Sequence, residues 1–196
     1  MLAVFDFDGT ISDVFSSFLI FRHLNIFQIM KIGTSLVWEK LTGRGDYQRK
    51  LVEILKGMKR ETLVDIGKHM PEIEASMELL RKLQEFGHEV LIISYGLKPV
   101  IESFFEHRGV KVEVIAIDLE FEDGKVKGPA DDSMTQLLLA DPHYAKQRIV
   151  RLKKLKPEFS VGDSEKRDKF SRHYLAVQTF SGPFLRVRQL ARSIFG

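Results

Sequence analysis

Two aspartates stand two residues apart in Asp6-Phe7-Asp8-Gly9-Thr10, directly after an apolar run that begins at Leu2. Side chains alternate along an extended backbone, so Asp6 and Asp8 point the same way. Gly9 lets the chain leave the strand at φ/ψ values that other residues avoid. The acid pair then sits at a strand end, which is where ligands bind in an α/β sheet. The alternative is a plain strand followed by an Asx-turn, for which Asp-Gly is an ordinary signal. The whole string, following a buried-type strand, favours the site. Two further strand ends carry polar groups: Glu89-Val90-Leu91-Ile92-Ile93-Ser94 ends in a hydroxyl, and Phe159-Ser160-Val161-Gly162-Asp163 ends in an acid. Carboxylates gathered with a hydroxyl suit proton transfer, nucleophilic attack or ligation of a hard cation.

The elements that must position these groups alternate between strand and helix. The fold class expected is α/β, a three-layer Rossmann-like parallel sheet with helices on both faces. Between Asp13 and Ile73 the texture changes to helical periodicity, through Phe15, Phe18, Leu19 and Arg22, then Ile26, Ile29, Met30 and Gly33. After a break at Gly43-Arg44-Gly45-Asp46, with Asp46 as N-cap, it resumes at Leu51, Val52, Ile54 and Leu55. A short helix over Glu61 to His69 precedes Pro71. Residues 13–73 are therefore expected to form an all-helical cap, inserted into an α/β core made of 1–12 and 74–196.

Downstream, Glu74 to Phe86 reads as a helix stopped by Gly87, and Leu97 to Arg108 as a helix stopped by Gly109. Val112 to Phe121 is strand-like and Glu122-Asp123-Gly124-Lys125 is a hairpin turn. Further helices are expected at Ser133 to Leu139, Pro142 to about Leu155, Ser164 to Arg172 and Pro183 to Ile194, with a strand at Tyr174 to Val177.

Composition closes several routes. Cysteine is absent, which excludes disulfides, Cys-ligated zinc and thiol catalysis. The histidines (His23, His69, His88, His107, His143, His173) lack metal-ligand spacing, so any metal here is oxygen-bound. The net charge of +3 comes without a clustered basic face, so no nucleic-acid partner is expected. The run Lys153, Lys154, Lys156 reads as a solvated helix end. The most hydrophobic stretch, Val14 to Trp38, is interrupted by Arg22, His23, Asn25, Gln28 and Lys31, so no transmembrane segment is expected. No basic n-region with a cleavage site follows Met1, and the expected location is cytoplasmic.

Four stretches, each at an expected strand end or helix start, carry a resemblance. They are Asp6-Phe7-Asp8-Gly9-Thr10, then Ser94, then Lys146 within Tyr144-Ala145-Lys146-Gln147-Arg148-Ile149, then Gly162-Asp163-Ser164-Glu165-Lys166-Arg167-Asp168. In this order they resemble the haloacid dehalogenase superfamily, in its phosphoserine-phosphatase-like branch with a helical cap after the first motif. The resemblance implies a Mg²⁺-dependent phosphomonoester hydrolase acting on a small phosphorylated metabolite. It implies Asp6 as the nucleophile that forms an aspartyl-phosphate, and Asp8 as the acid for the leaving alkoxide and then the base for water. Thr10 would help place Asp8. The Ser94 hydroxyl, with the Tyr95 and Gly96 N–H groups, would hold phosphoryl oxygens near a helix N-terminus, where a plain N-cap is the alternative.

Lys146 would neutralise the phosphoryl oxygens and Asp6. A cation in a helix's first turn opposes the helix dipole, so the position asks for a reason; a solvated surface lysine is the alternative, with Lys153 and Lys154 as rivals. Asp163 would ligate Mg²⁺ with the Asp6 carboxylate and the Asp8 backbone carbonyl. Many relatives place the second acid of this motif where Arg167 stands, so Asp168 is the choice, through water or by orienting Lys146, with Glu165 as substitute. Several carboxylates converging on a phosphate dianion also call for a divalent cation on charge alone, and oxygen-only ligation suits Mg²⁺. The same site could serve a phosphomutase or phosphotransferase, or persist in a non-catalytic binding protein.

The cap departs from phosphoserine phosphatases. Phe15 stands where they carry the glutamate that binds the substrate amine, and their carboxylate-binding arginine has no clear counterpart, although Arg49 and Lys50 lie nearby. L-Phosphoserine is therefore not the expected substrate. The phenylalanines of the first cap helix (Phe15, Phe18, Phe21, Phe27) read as cap core; an apolar or cation–π pocket and a homodimer or membrane-facing surface are the alternatives.

Overall fold

The computed structural model describes residues 1–42 and 47–177. Strand β1 (Leu2–Phe5) comes first, followed by four helices: α1 (Ser16–Phe21), α2 (Ile26–Thr42), α3 (Tyr47–Ile54) and α4 (Arg60–His69). Then come α5 (Glu74–Glu85), β2 (Glu89–Leu97), α6 (Lys98–His107), β3 (Glu113–Ile117) and the hairpin β4 (Leu119–Glu122) and β5 (Lys125–Pro129). The remainder is α7 (Ser133–Ala140), α8 (Ala145–Leu152), β6 (Phe159–Gly162), α9 (Glu165–Asp168) and β7 (His173–Ala176). The expected Asp46 cap and the Pro183 to Ile194 helix lie outside the described residues.

The five-stranded sheet runs β3-β2-β1-β6-β7 with every pairing parallel. Ala3, Val4 and Phe5 are all buried, as a strand covered on both faces requires. Phe5 pairs with Ile92 on one side and Val161 on the other. The chain builds outward from β1 to β3, then crosses back to β6, so β1 and β6 flank the point where strand order reverses. Their C-terminal ends open a crevice there.

Four elements differ from the sequence reading, each for a local reason. Strand β2 runs past Ser94 to Leu97, which is buried and pairs with Ile117 across a register shift. The expected strand Val112 to Phe121 is two strands parted at Asp118, whose carboxylate accepts from Leu119 N and from Lys98 Nζ. Helix α8 begins at Ala145 rather than Pro142, because Asp141 Oδ1 accepts from His143 N and Tyr144 N and holds a turn there. Helix α9 is a single turn, not a helix to Arg172, since the Phe170 amide donates to Ser160 Oγ and draws the chain back to the sheet.

The phenylalanines do not share one helix. Phe21 is buried, Phe18 lies between Phe15 and Phe21, and Phe27 is exposed on α2 beside Ile26 and Met30. Among the described residues no helix is long and apolar enough to cross a membrane. Helix α4 seats on α6: Ser103 Oγ donates to the Val64 carbonyl (2.7 Å), and Arg108 pairs with Glu72 and donates to the Met70 carbonyl. The hairpin, with Asp123 and Gly124 both at positive φ, pairs its main chain with residues 57–60 through Gly57 N to Val126 O and Val126 N to Met58 O.

At Gly67 a Cβ would lie 2.2 Å from the Val100 carbonyl oxygen, so α4 and α6 meet backbone to backbone. Gly67→Ala should cost about 1–3 kcal/mol by forcing the helices apart. Gly33→Ala, on α2 with nothing within 4 Å, is the control and should be neutral or stabilising. Urea titration reads both; equal midpoints for the two variants would refute the close approach.

Candidate active site

Asp6 lies just beyond β1 and is anchored by its amide, which donates to the Val161 carbonyl (2.9 Å). Its carboxylate meets a buried ammonium. Lys146 Nζ, in the first turn of α8, lies 2.7 Å from Asp6 Oδ1 and 2.7 Å from Asp168 Oδ1. Burial pulls the lysine pKa down, but the two carboxylates outweigh it and hold the ammonium above its usual value. Asp168 is fully buried and its other oxygen accepts from Ser164 N (3.1 Å). Burial, reinforced by the charge of Asp6, raises its pKa against the pull of Lys146. The rivals stand elsewhere: Lys153 pairs with Glu113 on the surface, Lys154 is exposed, and Glu165 is exposed and pairs with Lys169.

Asp8 has a different environment. Ser16 N donates to its Oδ1 (2.8 Å) and Ser16 Oγ to its Oδ2 (3.1 Å). Burial pushes the Asp8 carboxyl up to about 7, with the Asp6 charge adding to the rise and Ser16 and Lys146 opposing it. Ser16 was not foreseen in the sequence. As the first residue of α1 it carries an amide with no partner inside the helix, and that orphan donor is the signal a carboxylate eight residues earlier could have suggested. Thr10, expected to place Asp8, is fully buried, and among the described residues its hydroxyl has no hydrogen-bond partner.

Ser94 is buried, and its Oγ accepts from Gly96 N (3.0 Å). The Gly96 amide, expected to face phosphate, is thus used within the strand. Ser94 is also no N-cap, since α6 starts at Lys98 with Leu97 in the capping position. At Gly96 a Cβ would approach Asp8 Oδ2 to 3.1 Å, so the Tyr95-Gly96-Leu97 backbone presses on the acid pair.

Asp6, Asp163 and Asp168 each offer an oxygen within 4.8 Å of the others, while the Asp8 carboxylate stands outside this group. Three carboxylates at that spacing and no nitrogen or sulfur donor match a hard, oxygen-seeking divalent cation. The convergence depends on close backbone packing. At Gly162 a Cβ would lie 2.3 Å from the Asp168 Cβ, so no other residue lets α9 tuck its acid beneath β6.

Above Asp6 and Asp8 lies a cavity of about 230 Å³. Ser94, Tyr95, Gly96 and Arg167 line its core side, and Phe15, Ser16, Ser17, Tyr47, Gln48 and Leu51 line the side made by the inserted helices. Tyr47, Gln48, Ser17 and Arg167 as lining residues escaped the sequence reading, having no local pattern that marks them. A carboxylate pair, an adjacent buried cation and an anion-sized crevice equip this place for hydrolytic group transfer.

The sequence model of the haloacid dehalogenase-like hydrolase family matches residues 3–165. The chain belongs to this family. No curated protein matches the sequence. Among solved structures, a HAD family hydrolase from Salmonella enterica serovar Typhi is similar at 20% identity and a TM-score of 0.61, over 78% of this chain and 50% of that one. This chain thus spans half the length of that relative. Cytosolic 5'-nucleotidase IIIB bound to cytidine is similar at 18% identity and a TM-score of 0.63, over 98% and 86% of the two chains. Phosphoserine phosphatase from T. onnurineus is similar at 22% identity and a TM-score of 0.63, over 89% and 82%. At these identities the likeness is one of fold.

The raised Asp8 carboxyl has a consequence for stability. Ionising it costs more in the folded chain than in the unfolded one, so stability is complete below the ordinary value of 3.8 and declines as pH climbs to about 7. With chelator present, Asp8→Asn keeps the shape and removes the charge. It should melt like wild type at pH 4 and exceed it at pH 8 by about 1–3 kcal/mol. A variant no more stable than wild type at pH 8 would show that Asp8 is not desolvated.

Proposed function

We propose that this hydrolase cleaves phosphomonoesters through an aspartyl-phosphate on Asp6. One observation carries the reading: two carboxylates on one cavity have opposite environments, Asp6 salt-bridged to Lys146 and Asp8 pushed toward its protonated form. Titratable pairs separated in this way divide nucleophile from acid.

Asp6 attacks phosphorus in line, forming an O–P bond as the bond to the leaving oxygen breaks. Asp8 gives its proton to that oxygen, so the product leaves as an alcohol. The Asp8 carboxylate, now ionised, takes a proton from water as the water oxygen attacks phosphorus. The Asp6–phosphorus bond breaks, inorganic phosphate departs, and both acids regain their starting states. Lys146 holds Asp6 in place throughout, and Asp168 holds Lys146. Asp6, Asp163 and the Asp8 main-chain carbonyl would hold Mg²⁺, with Asp168 behind them; when bound, the ion supplies positive charge that lets a phosphate dianion approach these acids. In this reading the Ser94 hydroxyl and the Tyr95 amide, both lining the cavity, donate to phosphoryl oxygens.

Residues 13–73 act in this reading as a cap that selects substrate, on a core of 1–12 and 74–196. Among the described lining residues the charges are Asp6, Asp8 and Arg167, and the cap side is neutral. Among these described lining residues no spare carboxylate stands ready to pair with a substrate ammonium. Phe15 lines the cavity where such an acid would be needed, which supports a small phosphorylated metabolite other than L-phosphoserine.

A panel of phosphomonoesters, assayed with Mg²⁺ and with chelator, tests the reading. Phosphate release should require Mg²⁺ and fall by about 10³-fold or more in Asp6→Asn. No release from any ester, or an unimpaired Asp6→Asn, would overturn the catalytic assignment. L-Phosphoserine outpacing every other ester would overturn the substrate assignment alone.

A further inference from the structure

The buried lysine leaves a charge problem at the cavity. The Lys146 ammonium is 1% exposed, bonded to two carboxylates, and beneath the cavity floor rather than on its wall. A phosphate entering above Asp6 and Asp8 therefore meets one lining cation among the described residues, and that cation is Arg167. Its place follows from the spacing of the last motif. The acid sits at Asp168 and turns inward to Lys146, so its neighbour on the single turn α9 turns outward to the cavity.

The platform under Arg167 is fixed. Gln147 Nε2, one residue after Lys146 on α8, donates to the main-chain carbonyls of Lys166 (2.9 Å) and Arg167 (3.1 Å). Among the described residues the guanidinium makes one contact, a long one of 3.4 Å to Asp163 Oδ1, and its side chain is 36% exposed. A guanidinium carries five N–H donors in a planar fork, so one such contact leaves most of its donors for a ligand.

We propose that Arg167 contacts the transferred phosphoryl group and donates to its non-bridging oxygens while Asp6 attacks. The inference rests on the phosphomonoester reading. The position favours the phosphoryl group over the rest of the substrate. Asp163 Oδ1 is 3.4 Å from Arg167, and Asp163 shares with Asp6 a group of oxygens within 4.8 Å of one another. The guanidinium thus borders the place where phosphorus must sit, while the neutral surfaces of Phe15, Tyr47 and Leu51 face the leaving group. Charge in the transition state is spread over the equatorial oxygens, which a planar fork engages through two parallel hydrogen bonds and an ammonium only as a point charge.

The probes are p-nitrophenyl phosphate, whose leaving group bears no second anion, and inorganic phosphate, whose binding is measured by calorimetry at fixed Mg²⁺. Arg167→Ala should lower kcat/KM on p-nitrophenyl phosphate by about 10–100-fold and weaken phosphate binding by about 10-fold. Arg167→Lys should fall between the two, and the half-saturating Mg²⁺ concentration should stay as in wild type. Arg167→Gln replaces the alanine variant if circular dichroism shows that the latter is unfolded. A loss confined to substrates with a second carboxylate or phosphate would assign the arginine to the leaving group and overturn the proposal. So would unchanged phosphate binding with an altered Mg²⁺ requirement, the signature of a mere partner for Asp163. If wild type hydrolyses p-nitrophenyl phosphate no better than Asp6→Asn, the phosphomonoester reading fails instead, and the calorimetry still judges Arg167.

Discussion

A buried ammonium between two buried carboxylates is the interaction on which the rest of the site depends. Lys146 joins three elements that are far apart in sequence: the end of β1 through Asp6, the start of α8, and the turn α9 through Asp168. None of the three groups is tolerable there alone. Removing one partner of such a cluster leaves an uncompensated buried charge, which typically costs about 3–5 kcal/mol. The cluster is therefore a fastening for the fold as well as a setting for chemistry. It holds the Asp6 carboxylate in one orientation and keeps α9 against the end of β6.

The fastening works only because the backbone comes close enough. Gly9, at a φ of +79°, turns the chain sharply after the acid pair, and a Cβ there would approach Asp163 Oδ2 to 3.0 Å. Gly162 admits Asp168, and Gly96 admits the β2 extension against Asp8. These glycines bring carboxylates together at a density that charge repulsion resists. The Lys146 cation relieves part of that repulsion. The relief is uneven, since Lys146 bonds Asp6 and Asp168 but not Asp8, and this unevenness gives the two acids of Asp6-Phe7-Asp8 different environments.

What could be read from sequence tracks how local each signal is. The β1 strand, the Asp6/Asp8 pair and the hairpin at Asp123-Gly124 are written in consecutive residues. Period-two alternation and a glycine or Asp-Gly turn suffice to find them. The family resemblance pointed to Lys146, and its place in a helix's first turn, where the dipole disfavours a cation, gave the position a physical reason. Asp168 came from the family's motif spacing, through water or by orienting Lys146, and the structure has it bonded to Lys146. The misses all depend on contacts through space. Ser16 escaped notice as a partner of Asp8 because it takes α1 turning its first amide toward the strand end to bring the two together. Strand β2 outruns Ser94 because Leu97 is needed in the sheet, and α9 stops early because Ser160 captures the Phe170 amide. None of these leaves a periodic trace.

The inserted helices divide into a part built into the core and a part that faces the cavity. Helix α4 is seated on α6 backbone to backbone at Gly67, and residues 57–60 pair with the β4–β5 hairpin. That half of the insert is built into the core. The cavity wall comes from the other half, through Phe15, Ser16 and Ser17 around the start of α1 and Tyr47, Gln48 and Leu51 on α3. Lys146 and Asp168 stand on other elements, α8 and α9. Ser16 joins the two sides, since it lines the wall and also bonds both oxygens of Asp8. A ligand that shifts α1 would loosen those bonds and alter the acidity of Asp8. Ser16 therefore links the wall made by the inserted helices to the acid at the strand end.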